Sequence, residues 1–247
     1  HRRLRDGWFH RILPYLDLGN LHDAYVECHQ VGGPCDRGRS DLRTWVHYTR
    51  GTVNGRPLAR TVLNAFTCPS DAVTITDRVC GRGYQGNYVL CHGNAIQRSV
   101  GRHQDNNGMF YRVSSIRISD VKDGTSNTVM GSEALVRPPD VSRWGWGDCG
   151  CYWLGGRWGE LGFTTLQPPN TPLPDRNYRC KSTSYVHAPC ESIRGRDEAQ
   201  NFARSFHAGG VHALMGDGSV RFVTESIDVT TWRALGTRRG GEMIGEF

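Results

Sequence analysis

The apolar positions of this chain change period several times, and each change marks an element. Between Trp8 and Val26 they recur at helical spacing (Ile12, Tyr15, Leu16, then Leu21, Ala24, Tyr25), and Gly19-Asn20 breaks the run. That pattern predicts two short helices, with Trp8, Ile12, Leu13, Tyr15 and Leu16 facing a core. From Gln30 to Gly55 the composition turns to Gly, Arg and Asp, an irregular loop. Val62 to Phe66 is a short apolar run stopped by Cys68-Pro69-Ser70-Asp71, and Tyr84 to Leu90 reads as a strand. Ile116 and Ile118 alternate, Ser119 caps one helical turn, Asp123-Gly124 ends it, and Thr128 to Glu133 returns as a strand. The sharpest pattern lies between Phe206 and Phe222. There the run Val211, Ala213, Leu214, Met215, the turn Gly216-Asp217-Gly218 and a second run through Val220, Phe222 and Val223 predict a β-hairpin, because such turns need residues that tolerate positive φ. A short helix over Thr230 to Leu235, stopped by Gly236, follows. Residues 143–190 hold no period: Trp144, Trp146, Trp153 and Trp158 sit among glycines, ahead of a proline-rich run from Pro168 to Pro174. Together these elements predict one α+β domain over 1–247 with an antiparallel β-sheet, short helices and, at about 143–190, a long disulfide-stapled loop insertion.

Composition supports a loop-rich chain: 31 glycines in 247 residues, 37% hydrophobic residues and a mean hydropathy of −0.53. No run approaches the roughly 18 apolar residues of a membrane span, and the first residues lack the apolar stretch of a secretory signal. Because core-type residues begin at Trp8, a natural N-terminal segment is expected to precede this one. The net charge of +6 is almost wholly arginine, with Lys122 and Lys181 the only lysines. The arginines (Arg37, Arg39, Arg43, Arg50, Arg56, Arg60) are spread out rather than gathered with aromatics on one element, which argues for a solvated basic surface and against a nucleic-acid partner.

Nine cysteines change the picture more: Cys28, Cys35, Cys68, Cys80, Cys91, Cys149, Cys151, Cys180 and Cys190. No CxxC pair occurs, which counts against a zinc ribbon, a thioredoxin-type redox site and covalent haem. Scattered cysteines in a loop-rich chain fit an oxidising, extracytoplasmic compartment, with all nine as disulfide candidates and an odd one left over. Cys180 and Cys190 bracket a short loop and form the best local pair. Cys149 and Cys151 stand too close to bridge each other, so each reaches elsewhere. A cysteine-only metal site from Cys149, Cys151, Cys180 and Cys190 is a weaker alternative, since its spacings are unlike structural zinc patterns.

Candidate chemistry is sparse. His207, His212 and Asp217 form the sharpest set, since two histidines and a carboxylate suit a metal site. In a continuous strand, however, His207 and His212 are an odd number apart and point to opposite faces, while Asp217 belongs to its own turn. Ser126 and Ser132 flank Gly131 and Glu133 without a G-x-S-x-G elbow. Asp120, Asp123 and Asn127 place oxygens in one tight loop, where turn capping outweighs a calcium site at Asp120 and Asp123. Glycines from Gly81 to Gly86 lack the strand-then-helix context and the Lys of a phosphate cradle. Trp144, Trp146 and Trp153 offer either core packing or a platform for carbohydrate or a partner. No catalytic residue and no cofactor emerge, and the chain reads as a non-enzyme.

Five segments taken together resemble one family. FHAGGVHALMGDGSVRFVTESID carries a His, nine intervening residues and Asp-Gly, namely His207 and Asp217-Gly218; IRISDVKDGTSNTVMGSE holds the Asp-Gly-Thr-Ser-Asn-Thr block with Asp123, Gly124 and Asn127. FTCPSD (Phe66 to Asp71), RILPYLDLGNLHDAY (Arg11 to Tyr25) and the closing WRALGTRRGGEMIGEF match in order. The chain thus resembles the DUF1559 family of pilin-like proteins, with the Trp/Cys/Pro-rich part the poorest match. The resemblance implies a prepilin-type cleavage site and a long apolar membrane-anchoring helix, a segment this chain lacks, followed by a β-rich pilin-like head. It implies self-association, or association with other pilin-like subunits, in a surface filament or a type II secretion-like pseudopilin assembly. The membrane is met only through the missing helix, and no catalytic residues carry over; the six named residues are signature positions. A secreted carbohydrate- or protein-binding module using the tryptophans is the alternative expectation, and a metal-dependent hydrolase on His207 and Asp217 the weakest.

Overall fold

The first helices form where apolar residues gather on one side of the chain. In a computed structural model, described at residues 7–28, 30, 33, 52–53, 56–74, 79–80, 83–96, 105–111, 114–138, 147–154, 159–193, 198–245 and 247, α1 (Trp8–Ile12) runs into a single 3₁₀ turn at Leu13–Leu16. Asp17 closes that turn in the left-handed conformation (φ 58°), so the break falls just ahead of Gly19-Asn20, which instead open α2 (Gly19–Cys28). α2 buries Leu21, Tyr25 and Cys28, an i, i+4, i+7 stripe. Phe9 and Leu13 join that core, but Tyr15 is 86% exposed and Leu16 39% exposed, contrary to the sequence expectation. The tighter winding of the 3₁₀ turn puts them out of phase with Phe9 and Leu13.

Short strands follow. β1 (Thr52–Val53) pairs with β2 (Arg56–Pro57), and β3 (Val79–Cys80) with β4 (Gly83–Tyr84), both antiparallel. β1 and β2 are what is described of the Gln30–Gly55 stretch and its edge, apart from two isolated residues. β5 (Tyr88–Cys91), β6 (Val129–Glu133) and β7 (Gly162–Phe163) come next, then β8 (Asp175–Asn177) and β9 (Cys190–Ser192), which pair in parallel. The hairpin is β10 (Gly210–Met215) and β11 (Val220–Thr224). A five-stranded sheet in the order β11-β10-β6-β5-β7 organises the fold, antiparallel except for the parallel β5–β7 edge. The architecture is α+β. The 143–190 segment is more than a loop, because it supplies the edge strand β7 and the wholly buried Phe163.

One face of this sheet is covered. Val89, Cys91, Val129, Val211, Ala213, Met215 and Val223 pack on Phe163 and on Trp232 and Leu235 of α3 (Val229–Leu235). Asp228 starts α3 by accepting the Thr231 N–H at 2.9 Å, a side-chain N-cap. The Ile118–Asp120 turn is capped differently from expectation. Asp120, not Ser119, reaches back to accept the Arg117 N–H at 2.9 Å. A second core joins α1 and α2 to Leu58, Leu63, Phe66, Tyr84, Tyr152 and Trp153, with Phe9 and Tyr152 stacked at 4.6 Å.

Disulfides join Cys80 to Cys151 and Cys180 to Cys190, and Cys28 is disulfide-bonded as well. Cys35 lies outside the described residues. Cys68, Cys91 and Cys149 are free and buried. For Cys149 this corrects the expectation that it bridges elsewhere: its Sγ sits in the sheet core, 3.5 Å from the Gly162 carbonyl. With Cys151, Cys180 and Cys190 oxidised, the cysteine-only metal set is excluded. The basic surface needs correction too. Arg137, Arg204 and Lys181 are buried, Arg137 between Asp148 (3.0 Å) and Asp175 (2.5 Å), Arg204 on Asp175 (3.1 Å), and Lys181 on Gln85 (3.1 Å). Buried charge is retained only where partners replace the lost water.

Candidate functional site

The face of the sheet away from α3 carries two cross-strand rows fixed by register. Tyr88 lies opposite Glu133 and His212 opposite Phe222. Leu90 lies opposite Gly131, which lies opposite Leu214, which lies opposite Val220. Val220 is 62% and Phe222 43% exposed. Each row thus ends in an exposed apolar side chain on β11, the half-buried Leu90 and Leu214 leading to Val220, while the first row also lies under two turns that bring in Cys68 and His207.

Each turn has a local cause. The Cys68-Pro69-Ser70-Asp71 turn closes through the Asp71 N–H on the Cys68 carbonyl at 3.1 Å. Asn87 accepts the Cys68 N–H at 2.9 Å and donates to Asp71 (2.5 Å) and to the Ala134 carbonyl (2.8 Å), clamping the turn to the end of β6. Asp71 also accepts the Val136 N–H at 2.9 Å. The second turn precedes β10. Gly209 adopts φ +80°, open to glycine at no steric cost, and Ser205 accepts the His207 N–H (3.1 Å) while donating to the Gly210 carbonyl (2.7 Å).

That turn overturns the parity argument. His207 precedes the strand rather than lying in it, so the reversal at Gly209 returns its ring to the face of His212, and the two imidazoles meet edge to face at 4.6 Å. Both address Glu133. His207 Nε2 stands 3.0 Å from Oε1, His212 Nδ1 3.5 Å from Oε2, and the His212 backbone N–H donates to Oε2 at 2.7 Å. Cys68 Sγ lies 3.8 Å from the same His207 Nε2 and 4.0 Å from Glu133 Oε1. Glu133 and Cys68 are buried, and His207 and His212 open partly to solvent. Beside them the Tyr88 phenol is pushed up to about 12 by burial, then by Cys68 and Glu133, so it stays protonated and able to donate. Cys68 and Glu133 both face one imidazole nitrogen. A Cys-His-acid relay uses both nitrogens, one for each partner, so this arrangement suits joint ligation of a cation better than activation of a nucleophile.

The other predicted residues lie elsewhere. Asp217 sits at the far tip of the hairpin, five residues beyond His212 or roughly 16 Å of strand. There it accepts the Ser219 N–H (2.9 Å) and hydroxyl (2.7 Å), which hold its carboxyl below the usual range. It does not join the histidines, so the set of His207, His212 and Asp217 is corrected to one with Glu133 as its carboxylate. Gly218 takes φ +86° in that turn. Asp123 accepts the N–H groups of Gly240 (2.7 Å) and Gly241 (2.9 Å) and the Thr237 hydroxyl (3.2 Å), while Asn127 donates to the Asp123 carbonyl at 3.3 Å and Gly124 takes φ +92°. Asp120 and Asp123 thus spend their oxygens on separate caps, and among the described residues they do not converge on a cation. Trp153 is 2% exposed, its ring packed against Phe9 and His10, and offers no free platform. Trp144 and Trp146 lie outside the described residues. Cys68 and Glu133 were the residues missed. The signals were a thiol beside a proline turn and a carboxylate ending an apolar strand, and neither is specific without the fold.

Comparison with known proteins supplies the identity. The model of a family described as protein of unknown function (DUF1559) matches residues 1–230. The chain belongs to the DUF1559 family. No curated protein matches it, and no solved structure does. The DUF1559 match runs through the whole 143–190 segment and ends before the closing segment, Trp232 to Phe247, that the resemblance included. Cys68, Glu133 and His207 all lie inside it, in three of the segments that carry the DUF1559 resemblance.

Proposed function

We propose that this DUF1559 chain is the extracytoplasmic head of a self-assembling, pilin-like or pseudopilin-like structural protein, and not an enzyme. The observation that carries the reading is the exposed pair Val220 and Phe222 on β11, continued inward by the half-buried Leu214 and Leu90, on the sheet face opposite the one filled by α3. Exposed apolar side chains adjoining half-buried ones on a sheet edge are the kind of surface that subunits bury against one another. The buried cystines support an oxidising compartment, since cytosolic thiols are kept reduced. A carbohydrate-binding role would rest on Trp144 and Trp146 alone.

Two measurements test this. Immunolabelled electron microscopy of material sheared from native cells is expected to show the chain in ordered filaments or short pseudopilin-like assemblies; a chain that stays monomeric in concentrated native extracts would remove the reading. Alkylation of native material before reduction is expected to leave Cys80, Cys151, Cys180 and Cys190 unmodified, and their ready alkylation would place the chain in a reducing compartment instead.

A further inference from the structure

We infer that Cys68, Glu133 and His207 bind one divalent transition-metal ion of the zinc class. Their donor atoms lie within 4.8 Å of one another, at 3.0 Å (Nε2 to Oε1), 3.8 Å (Nε2 to Sγ) and 4.0 Å (Oε1 to Sγ). A tetrahedral zinc ion bonded at about 2.3 Å to sulfur and about 2.0–2.2 Å to nitrogen and oxygen sets its ligand atoms about 3.4–3.6 Å apart, so shifts of about half an ångström complete the site. His207 Nε2 faces both the thiol and the carboxylate. A cation at the centre is held by nitrogen, sulfur and oxygen together.

Charge points the same way. Glu133 is 4% exposed, and among the described residues its cationic partners within 4.0 Å are the two histidines. Thiolate, carboxylate and neutral imidazole with a divalent ion make a neutral buried unit. Sulfur and imidazole donors select zinc, or cobalt as its substitute, over calcium and magnesium, which prefer oxygen alone. Binding releases the thiol proton to solvent. His207 is partly exposed, so the fourth position faces solvent beside His212. The ion ties together three segments far apart in the chain: the turn after Phe66, the end of β6 and the turn before β10.

The test uses the whole purified chain with its disulfides intact, stripped by a chelator and titrated with Co²⁺ and then Zn²⁺. One equivalent of Co²⁺ is expected to bind with a thiolate-to-cobalt charge-transfer band that Zn²⁺ abolishes, and Zn²⁺ is expected to raise the Tm. Cys68→Ser should erase the band, and His207→Ala and Glu133→Gln should weaken binding at least tenfold. Cys91→Ser, Cys149→Ser and Asp217→Asn should leave it intact. The cobalt spectrum of the unaltered chain needs no variant to fold. Absence of that band, or one-to-one binding that survives in folded Cys68→Ser, overturns the inference.

Discussion

His92 shows how much one buried side chain can set. It is 7% exposed, neither ring nitrogen has a hydrogen-bond partner among the described residues, and burial lowers its pKa to about 4 from an ordinary 6.5. Between those values the unfolded chain takes up a proton that the folded chain refuses, so stability rises with pH through this window and is lost as pH falls through it. Between pH 6.5 and pH 5 this one group is expected to cost on the order of 2 kcal/mol. Urea unfolding at the two pH values measures it, and His92→Leu should flatten the slope by that amount. An unchanged slope in the variant would assign the pH response to other groups. Nothing in the sequence around His92 marks it as buried. Its ring lies close against Gly162, where an added Cβ would come within 1.8 Å of Nε2.

At the scale of elements, turns and staples decide geometry. Gly209 and Gly218 both take positive φ in open space, so Ala at either should cost about 1 kcal/mol. Only Gly209→Ala should also dim the cobalt band, because only that turn carries His207 back to Glu133; equal spectra in the two variants would detach the turn from the site. The two disulfides should differ as their loops do. Cys80–Cys151 spans 71 residues and Cys180–Cys190 spans 10, so removing the first should cost about 4 kcal/mol and the second about 3 kcal/mol. Paired Cys→Ser variants compared by chemical denaturation test that order. The hairpin, α3 and the β6 strand were legible from the sequence because period, turn chemistry and breakers agreed within each. The 3₁₀ turn at Leu13–Leu16 was not, because its apolar residues keep helical spacing while the winding changes beneath them.

For the whole molecule the exposed Val220–Phe222 edge of the sheet is the feature with consequences. Val220→Lys and Phe222→Asp change exposed positions, Phe222 giving up its edge-to-face contact with His212 at 5.3 Å, and should lower the Tm of the isolated chain by only a few degrees. If subunits meet there, the same changes should abolish assemblies in native material, and persistence of filaments in the double variant would move the contact to another surface. Asp148, Asp175 and Lys181 of the 143–190 segment form a buried group with Arg137, which follows β6, and Arg204, which precedes β10, and this group ties the segment to the rest of the chain. It explains how a segment so poor in regular structure is nonetheless packed.

The sequence by itself determined the family, the α+β class, the signature hairpin and the local Cys180–Cys190 pair, since each depends on residues close together in the chain or on several segments in fixed order. Tertiary structure alone decided the site. Cys68, Glu133 and His207 are separated by a whole strand, a loop-rich segment and a turn, and their meeting depends on the β5–β6–β10 register and on the reversal at Gly209. Strand parity predicted the opposite because it assumes a continuous strand. A single positive-φ glycine suspends that rule and puts both histidines on one carboxylate.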